Sequence, residues 1–384
     1  MAPGPLSLHR HRMKGSDVTT VHSDVIDPWL QVLFERGGTD LFLTAGSPPR
    51  IRVDGALRPM EGEAYLDAVK VDELVRALLS PDLMASFETH KDVDFSFTWR
   101  NLARLRGNAF QQKGQITLAL RMIPSRIPSF AELGLPPAAS WLANLPRGLV
   151  LVTGPTGSGK STTLASIIDH INEHRALHIL TVEDPIEYLH DHKQSAVHQR
   201  EVGTDSESFG RALRSSLRED PDVLLIGEMR DLDSIQIALT MAETGHLVFA
   251  TLHTNDASQA LDRIIDVFPT ERKDQIRVQL AATLEAVLAQ RLVPRINGGM
   301  VAAFEVLVGN NATRNLIREG KTNQLRNIMT THQQERMGTL EMSLSDLIAL
   351  GVISYEAALG VSAYPRELAR AMASANANGA RELR

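Results

Sequence analysis

From Gly148 onward, short unbroken apolar runs alternate with segments of helical periodicity. The runs are "LVLVT" at 149–153, "HILTV" at 178–182, "DVLLIG" at 222–227 and "HLVFATL" at 246–252. Runs this short and this apolar suit strands buried on both faces of an open parallel sheet. Residues 23–122 are patterned differently. Ile26 to Phe34 and "VDELVRALLS" read as helices, "TDLFLTA" and "RIRVDG" alternate like strands, and "DVDFSFTW" alternates with Phe95 and Phe97 on one face. This predicts a small α+β domain. Pro124, Pro128, Pro136, Pro137 and Pro146 then mark an irregular connector over 123–147. An α/β domain follows over 148–370, with Leu and Ile at helical spacings from Arg272 to Leu359 that predict a packed helical bundle. Residues 1–22 and 371–384 are polar and small without periodicity, and read as flexible tails.

Each apolar run ends in a polar cluster, and in an open parallel sheet the carboxyl ends of the strands are where ligands collect. The clusters are Thr153 with a glycine turn, then Glu183-Asp184-Pro185-Ile186-Glu187, then Gly227-Glu228, then His253-Thr254-Asn255. They are expected to converge. The first is the most specific: Gly154, Pro155, Thr156, Gly157, Ser158, Gly159, Lys160, Ser161 and Thr162 stand between a predicted strand and a predicted helix. Its glycines let the turn curl with its amides inward, the helix start adds a positive dipole end, Lys160 reaches terminal phosphates, and the Ser161 hydroxyl falls to a magnesium ion. The expected ligand is a nucleoside triphosphate with Mg2+.

A magnesium-bound triphosphate needs carboxylates to hold metal-bound water and one more to orient or deprotonate the attacking water. Glu228, after the buried run Val223 to Ile226, is assigned that last task. The competing account makes it a helix-start acid. Glu183, Asp184 and Glu187 are expected to tune the metal and its waters, with Glu187 the carboxylate named beside Ser161 as a magnesium ligand. Each could instead be a surface acid on the turn made by Pro185. His246 and His253 bracket a single strand. His253, at the carboxyl end, is expected to contact or sense the γ-phosphate, whereas His246, at the amino end, is equally compatible with a structural place.

Composition narrows the classes. A net charge of -6 and 5% aromatic residues argue against a nucleic-acid motor, which needs a basic strip or stacking rings. The absence of cysteine excludes disulfides and cysteine-ligated zinc or iron–sulfur sites. No apolar stretch of membrane-spanning length occurs, and the amino-terminal segment lacks the apolar core of a secretory signal, so the cytoplasm is the expected compartment. Intact Lys160, Ser161 and Glu228 weigh against a regulator that binds nucleotide without cleaving it.

"GPTGSGKST", "TVEDPIEY", "LREDPDVLLIGEMRD" and "TGHLVFATLHTN" resemble the Walker A, Asp-box, Walker B and His-box segments of the secretion ATPases, in particular the type IV pilus retraction branch. "TDLFLTAGSPPRIRVDG", "ARLRGNAFQQKG" and "ATRNLIREGKTNQL" are similar to that branch's amino-terminal opening, arginine-bearing strand and carboxyl-terminal motif, with Thr313 and Gly107 departing from it. The resemblance implies a RecA-like P-loop NTPase core with a smaller PAS-like amino-terminal α+β domain. It further implies a cytoplasmic homohexamer docked on the inner-membrane platform protein of a pilus machine, alongside other pilus ATPases and without nucleic acid. Arg104 and Arg106, and less directly Arg121, are the arginines implied to reach the phosphates of a neighbouring subunit. Arg230 and Arg291 are further candidates for linking site and ring interface. An accessory retraction paralogue is the alternative within the same branch.

Overall fold

The computed structural model describes residues 23–53, 55–100, 102–123 and 126–382. They divide into two compact units, Met1–Ser125 and Arg126–Arg384. The tail expected at 1–22 lies outside the described residues.

The first unit holds a six-stranded antiparallel sheet of β1 (Asp40–Thr44), β2 (Arg50–Val53), β3 (Ala56–Pro59), β4 (Asp92–Trp99), β5 (Ala103–Gln112) and β6 (Gln115–Ile123), in the order β3-β2-β1-β6-β5-β4. Helices Asp27–Glu35, Ala68–Leu78 and Pro81–His90 bury Leu30, Leu33, Leu74 and Phe87 with Leu41, Leu43 and Trp99 of the sheet. Asp67 and Ser80 cap two of these helices by accepting from Lys70 N and Leu83 N. The predicted alternation holds on β4, where Val93, Phe95, Phe97 and Trp99 turn inward. Opposite Phe95 stands Gly107, where an added Cβ would lie 2.3 Å from the phenyl ring. The ring thus accounts for the glycine that departs from the family pattern.

The second unit holds a seven-stranded sheet of β7 (Gly148–Thr153), β8 (His178–Glu183), β9 (Ala196–Glu201), β10 (Val223–Ile226), β11 (Leu247–Leu252), β12 (Leu284–Pro294) and β13 (Met300–Val308). Its order is β13-β12-β7-β11-β10-β8-β9, parallel except for β13 against β12. The predicted runs are β7, β8, β10 and β11, the middle of the sheet. Alternate residues enter opposite cores: Leu149, Leu151, Leu224 and Val248 pack on one face, while Val150, Val152, Leu225 and Phe249 pack on the other beneath helix Lys160–His174. Burial on both faces is why the runs are continuous rather than alternating.

Three features differ from the sequence reading. The segment read as helical bundle from Arg272 contains helix Lys273–Thr283 and then β12 and β13. Its Leu- and Ala-rich pattern favours helix locally, but pairing with β7 overrides that preference. Residues 371–382, expected to be a flexible end, continue helix Pro365–Glu382, consistent with the helix preference of their alanines. Residues 126–147, read as connector, fold with the second unit, where Ala138, Leu142 and Leu145 join the core under β7.

The segment resembling the carboxyl-terminal motif forms helix Asn311–Arg318. Arg314 donates to Ala281 O at 2.9 Å and Ala282 O at 2.6 Å, capping the end of helix Lys273–Thr283, and pairs with Glu285 at 3.0 Å. Beyond it, Arg326 meets Glu305 of β13 at 3.4 Å, Glu367 at 2.6 Å and the buried Glu341. Its guanidinium carbon stands 3.7 Å from the Tyr364 ring centroid.

Burial pushes Glu305 up to about 7, with Asp256 and Glu341 reinforcing the rise and the Ala257 amide and Arg326 opposing it. A carboxyl whose proton is held more tightly in the folded chain contributes stability below about pH 4.5 that is lost as pH rises through about 7. Glu305→Gln should therefore gain stability relative to the native chain across that window. Thermal unfolding of both proteins at several pH values measures this, and a difference independent of pH would contradict it.

Candidate nucleotide-binding site

β7 ends at Thr153, and the chain turns through Gly154 to Gly159 into helix Lys160–His174. The turn can only be glycine-rich. Gly154, Gly157 and Gly159 have φ of 147°, 77° and 86°, and a Cβ on Gly154 would lie 2.5 Å from Gln290 O and 2.6 Å from Ser158 Oγ. Gln290 of β12 also donates to Ser158 O at 2.5 Å, so the neighbouring strand fastens the loop from behind. Sequence reasoning missed this residue; its one signal is an amide inside a buried apolar run. Thr153 Oγ1 and Ser158 Oγ are buried without hydrogen-bond partners. A curled loop, a helix start with unpaired amides and orphaned hydroxyls fit an anionic phosphate chain.

Lys160 Nζ donates to Gly154 O at 2.9 Å and Pro155 O at 3.1 Å and stands 3.4 Å from His253 Nδ1. Burial holds its ammonium pKa below the usual lysine value, against the pull of Glu228 and Glu187. His253 Nε2 lies 3.1 Å from Glu228 Oε1, and Arg230 donates to Glu228 Oε2 at 2.7 Å. Burial would raise the Glu228 carboxyl, but Arg230 and His253 outweigh it, so the group lies below the usual carboxylate range. The carboxyl ends of β7, β10 and β11 thereby contribute to one polar chain, Lys160, His253, Glu228 and Arg230.

The end of β10 is tied to its neighbours. Gly227 N donates to Val182 O at 2.8 Å, Thr251 Oγ1 donates to Gly227 O, and Met229 N donates to Thr251 O at 3.1 Å. Glu183 accepts from Thr181 Oγ1 at 2.7 Å and Gln199 Nε2 at 3.3 Å, and burial raises its pKa. Tyr188 and Thr162 hydroxyls meet at 3.0 Å. Ser161, Glu183, Glu187, Tyr188, Gly227 and Thr251 line a common pocket. Asp184 is exposed, and its charge acts on Arg230.

Among the described residues no group of three or more His, Asp or Glu could hold a metal by itself. Magnesium keeps waters and phosphate oxygens and takes one or two protein ligands. Ser161 and Glu187, in one pocket, have the oxygen chemistry it requires.

His246 is not brought to this pole. It precedes β11 at the opposite end, where Nδ1 meets Met241 O at 2.9 Å and Thr244 Oγ1 at 3.1 Å. Arg291 lies on β12 with Nε buried and unpartnered. Within the first unit, Arg104 and Arg106 alternate with buried Ala103, Leu105 and Gly107 on β5, and Arg104 donates to Ser96 Oγ at 3.1 Å. Arg121, on β6, pairs at 2.9 Å with the buried Asp40, which also holds Arg52 at 3.1 Å.

A family model described as type II/IV secretion system protein matches residues 50–356. The chain belongs to that family. Among its relatives, the type IV pilus retractation ATPase PilT of Pseudomonas aeruginosa is 48% identical over 84% of this chain and 93% of its own. The type IV pilus ATPase PilU of the same organism is 41% identical over 86% of each chain. The crystal structure of the pilus retraction motor PilT with bound ADP superposes with a TM-score of 0.84 at 45% identity, over 90% of this chain and 99% of that one. The mixed α/β fold with two sheets is thus that of the PilT-like secretion ATPases, whose core is RecA-like.

Gly154→Ala should weaken Mg-ATP binding at least about tenfold, because a Cβ at that φ meets Gln290 O and Ser158 Oγ and opens the curl. Titration with a fluorescent ATP analogue measures it; native affinity in the variant would show that the turn does not shape the site.

Proposed function

We propose that this chain is an ATP-hydrolysing motor that drives retraction of a type IV pilus. The observation that carries the reading is the Lys160, His253 and Glu228 chain beside the glycine cradle, with spacings of 3.4 and 3.1 Å. The 48% identity to the type IV pilus retractation ATPase PilT supports the mechanical task. Identity to the type IV pilus ATPase PilU is lower, at 41%.

The loop amides, Lys160 and Ser161 hold the phosphates, and Ser161 with Glu187 holds magnesium, which when bound supplies positive charge to the phosphate oxygens. Glu228, kept ionised by Arg230 and His253, is able to orient a water molecule and accept its proton. His253, between Glu228 and Lys160, reports whether the phosphate end of the site is filled. Turnover requires two exchanges of partner. Lys160 gives up the carbonyls of Gly154 and Pro155 for phosphate oxygens, and Glu228 gives up Arg230 for water.

The assembly is a cytoplasmic homohexamer at the inner membrane, seated on the platform protein of the pilus machine and working beside other pilus ATPases. Among the described residues no helix is long and apolar enough to cross a membrane. Arg104 and Arg106 reach a neighbour's phosphates as the ring closes, which couples cleavage to movement between subunits. Arg121, already paired with Asp40, serves its own sheet first.

Lys160→Ala is expected to abolish ATP turnover, whereas Glu228→Gln should bind Mg-ATP and turn it over at least about 10²-fold more slowly. Equal loss of binding and rate in Glu228→Gln would reassign the residue to structure. Mixing Arg104→Ala/Arg106→Ala protein with Lys160→Ala protein should recover part of the activity. No recovery at any ratio would exclude action across the seam. In cells lacking their retraction ATPase, the native chain should restore pilus retraction and Lys160→Ala should not.

A further inference from the structure

We propose that Glu305 is a positioning residue for His253, anchoring the loop that carries it to the sheet, and that Arg326 links this anchor to the carboxyl-terminal helices. The loop spans from Leu252, the end of β11, to Ala257, the start of helix Ala257–Asp266. Its first end is fixed, because Leu252 is buried and paired with Thr153 of β7. At its other end three backbone amides find side-chain acceptors. Gln259 N donates to Asp256 Oδ1 at 2.8 Å, Asn255 N to Gln259 Oε1 at 3.4 Å, and Ala257 N to Glu305 Oε1 at 2.9 Å. Asp256 and Gln259 belong to the helix start and move with it. Glu305 is on β13, so among these acceptors it alone ties the helix start to the sheet.

The same carboxyl group is 3% exposed, and a polar group at that depth requires partners. Arg326 provides one from helix Leu325–Thr331, directly after the segment resembling the carboxyl-terminal motif. Arg326 is shared with Glu341 and Glu367, and Glu341 in turn accepts from Ser362 Oγ at 2.9 Å and Tyr364 N at 3.2 Å. A shift of the last helices therefore reaches Glu305 through one guanidinium. From Glu305 it passes to the Ala257 amide, and from there to the residue between Glu228 and Lys160. Arg326, Glu305 and the Ala257 amide make no hydrogen bond or ion pair to the Gly154–Thr162 turn, so the expected signature is a change in rate without a change in substrate affinity.

This inference rests on the ATPase reading and deepens it. The test uses the full chain with Mg-ATP. Glu305→Asp keeps the carboxyl group but withdraws it by one methylene. Ala257→Pro deletes the same hydrogen bond from the other side, at a first helical position where proline is well tolerated and after an extended Asp256. Each should lower kcat about tenfold with KM and Mg-ATP affinity unchanged, a size in keeping with a displaced reacting group. Each should lower it no further when combined with His253→Ala, because the effect passes through that side chain. Native kcat in a folded Glu305→Asp or Ala257→Pro chain would overturn the anchor, as would the same proportional loss with and without His253. Should Glu305→Asp fail to fold, Ala257→Pro decides alone. An inactive native chain would instead overturn the ATPase reading and this inference with it.

Discussion

Burial of β7, β8, β10 and β11 on both faces is the constraint on which the site depends. A strand with no wet face has nowhere to place a polar side chain except its ends. In a parallel sheet the carboxyl ends of neighbouring strands lie side by side, so the polar residues excluded from the middle are gathered at one pole. The pairings of β11 with β7 and of β10 with β11 and β8 set how closely the gathered groups approach. Lys160, His253 and Glu228 come within hydrogen-bonding reach for that reason, although they are far apart in the chain.

The pole satisfies its own polar groups only in part. The turn after β7 uses three glycines at positive φ, and two hydroxyls beside it are buried without partners. Lys160 satisfies loop carbonyls, and Glu228 is divided between His253 and Arg230. These contacts stabilise the loop and the carboxylate by occupying the same atoms that catalysis needs. Each is individually modest in strength, so a phosphate chain with its charge is able to displace them.

Much of this was legible in the residues. The four central strands and the glycine turn follow from apolar runs and what ends them; Glu228 and His253 meet at 3.1 Å, while Glu183 and Glu187 line a pocket with Ser161. The edge of the sheet was not. β12 and β13 carry Leu, Ala and Val in an order that also suits helices, and only their pairing with β7 and each other decides the outcome. Gln290 and Glu305 were invisible for the same reason, since their importance lies in backbone groups of distant segments. His246 was half legible: its place before the strand predicts the far pole, and its bonds to Met241 and Thr244 hold it there.

The central claim is that the glycine cradle holds the phosphates of ATP and that Lys160 changes partners to meet them. A crystal structure of the chain with magnesium and a non-hydrolysable ATP analogue tests it most directly. The account predicts phosphates within the Gly154–Thr162 turn, with Lys160 Nζ moved from the Gly154 and Pro155 carbonyls onto phosphate oxygens. Nucleotide bound elsewhere, or Lys160 still on those carbonyls with the turn filled, would contradict it.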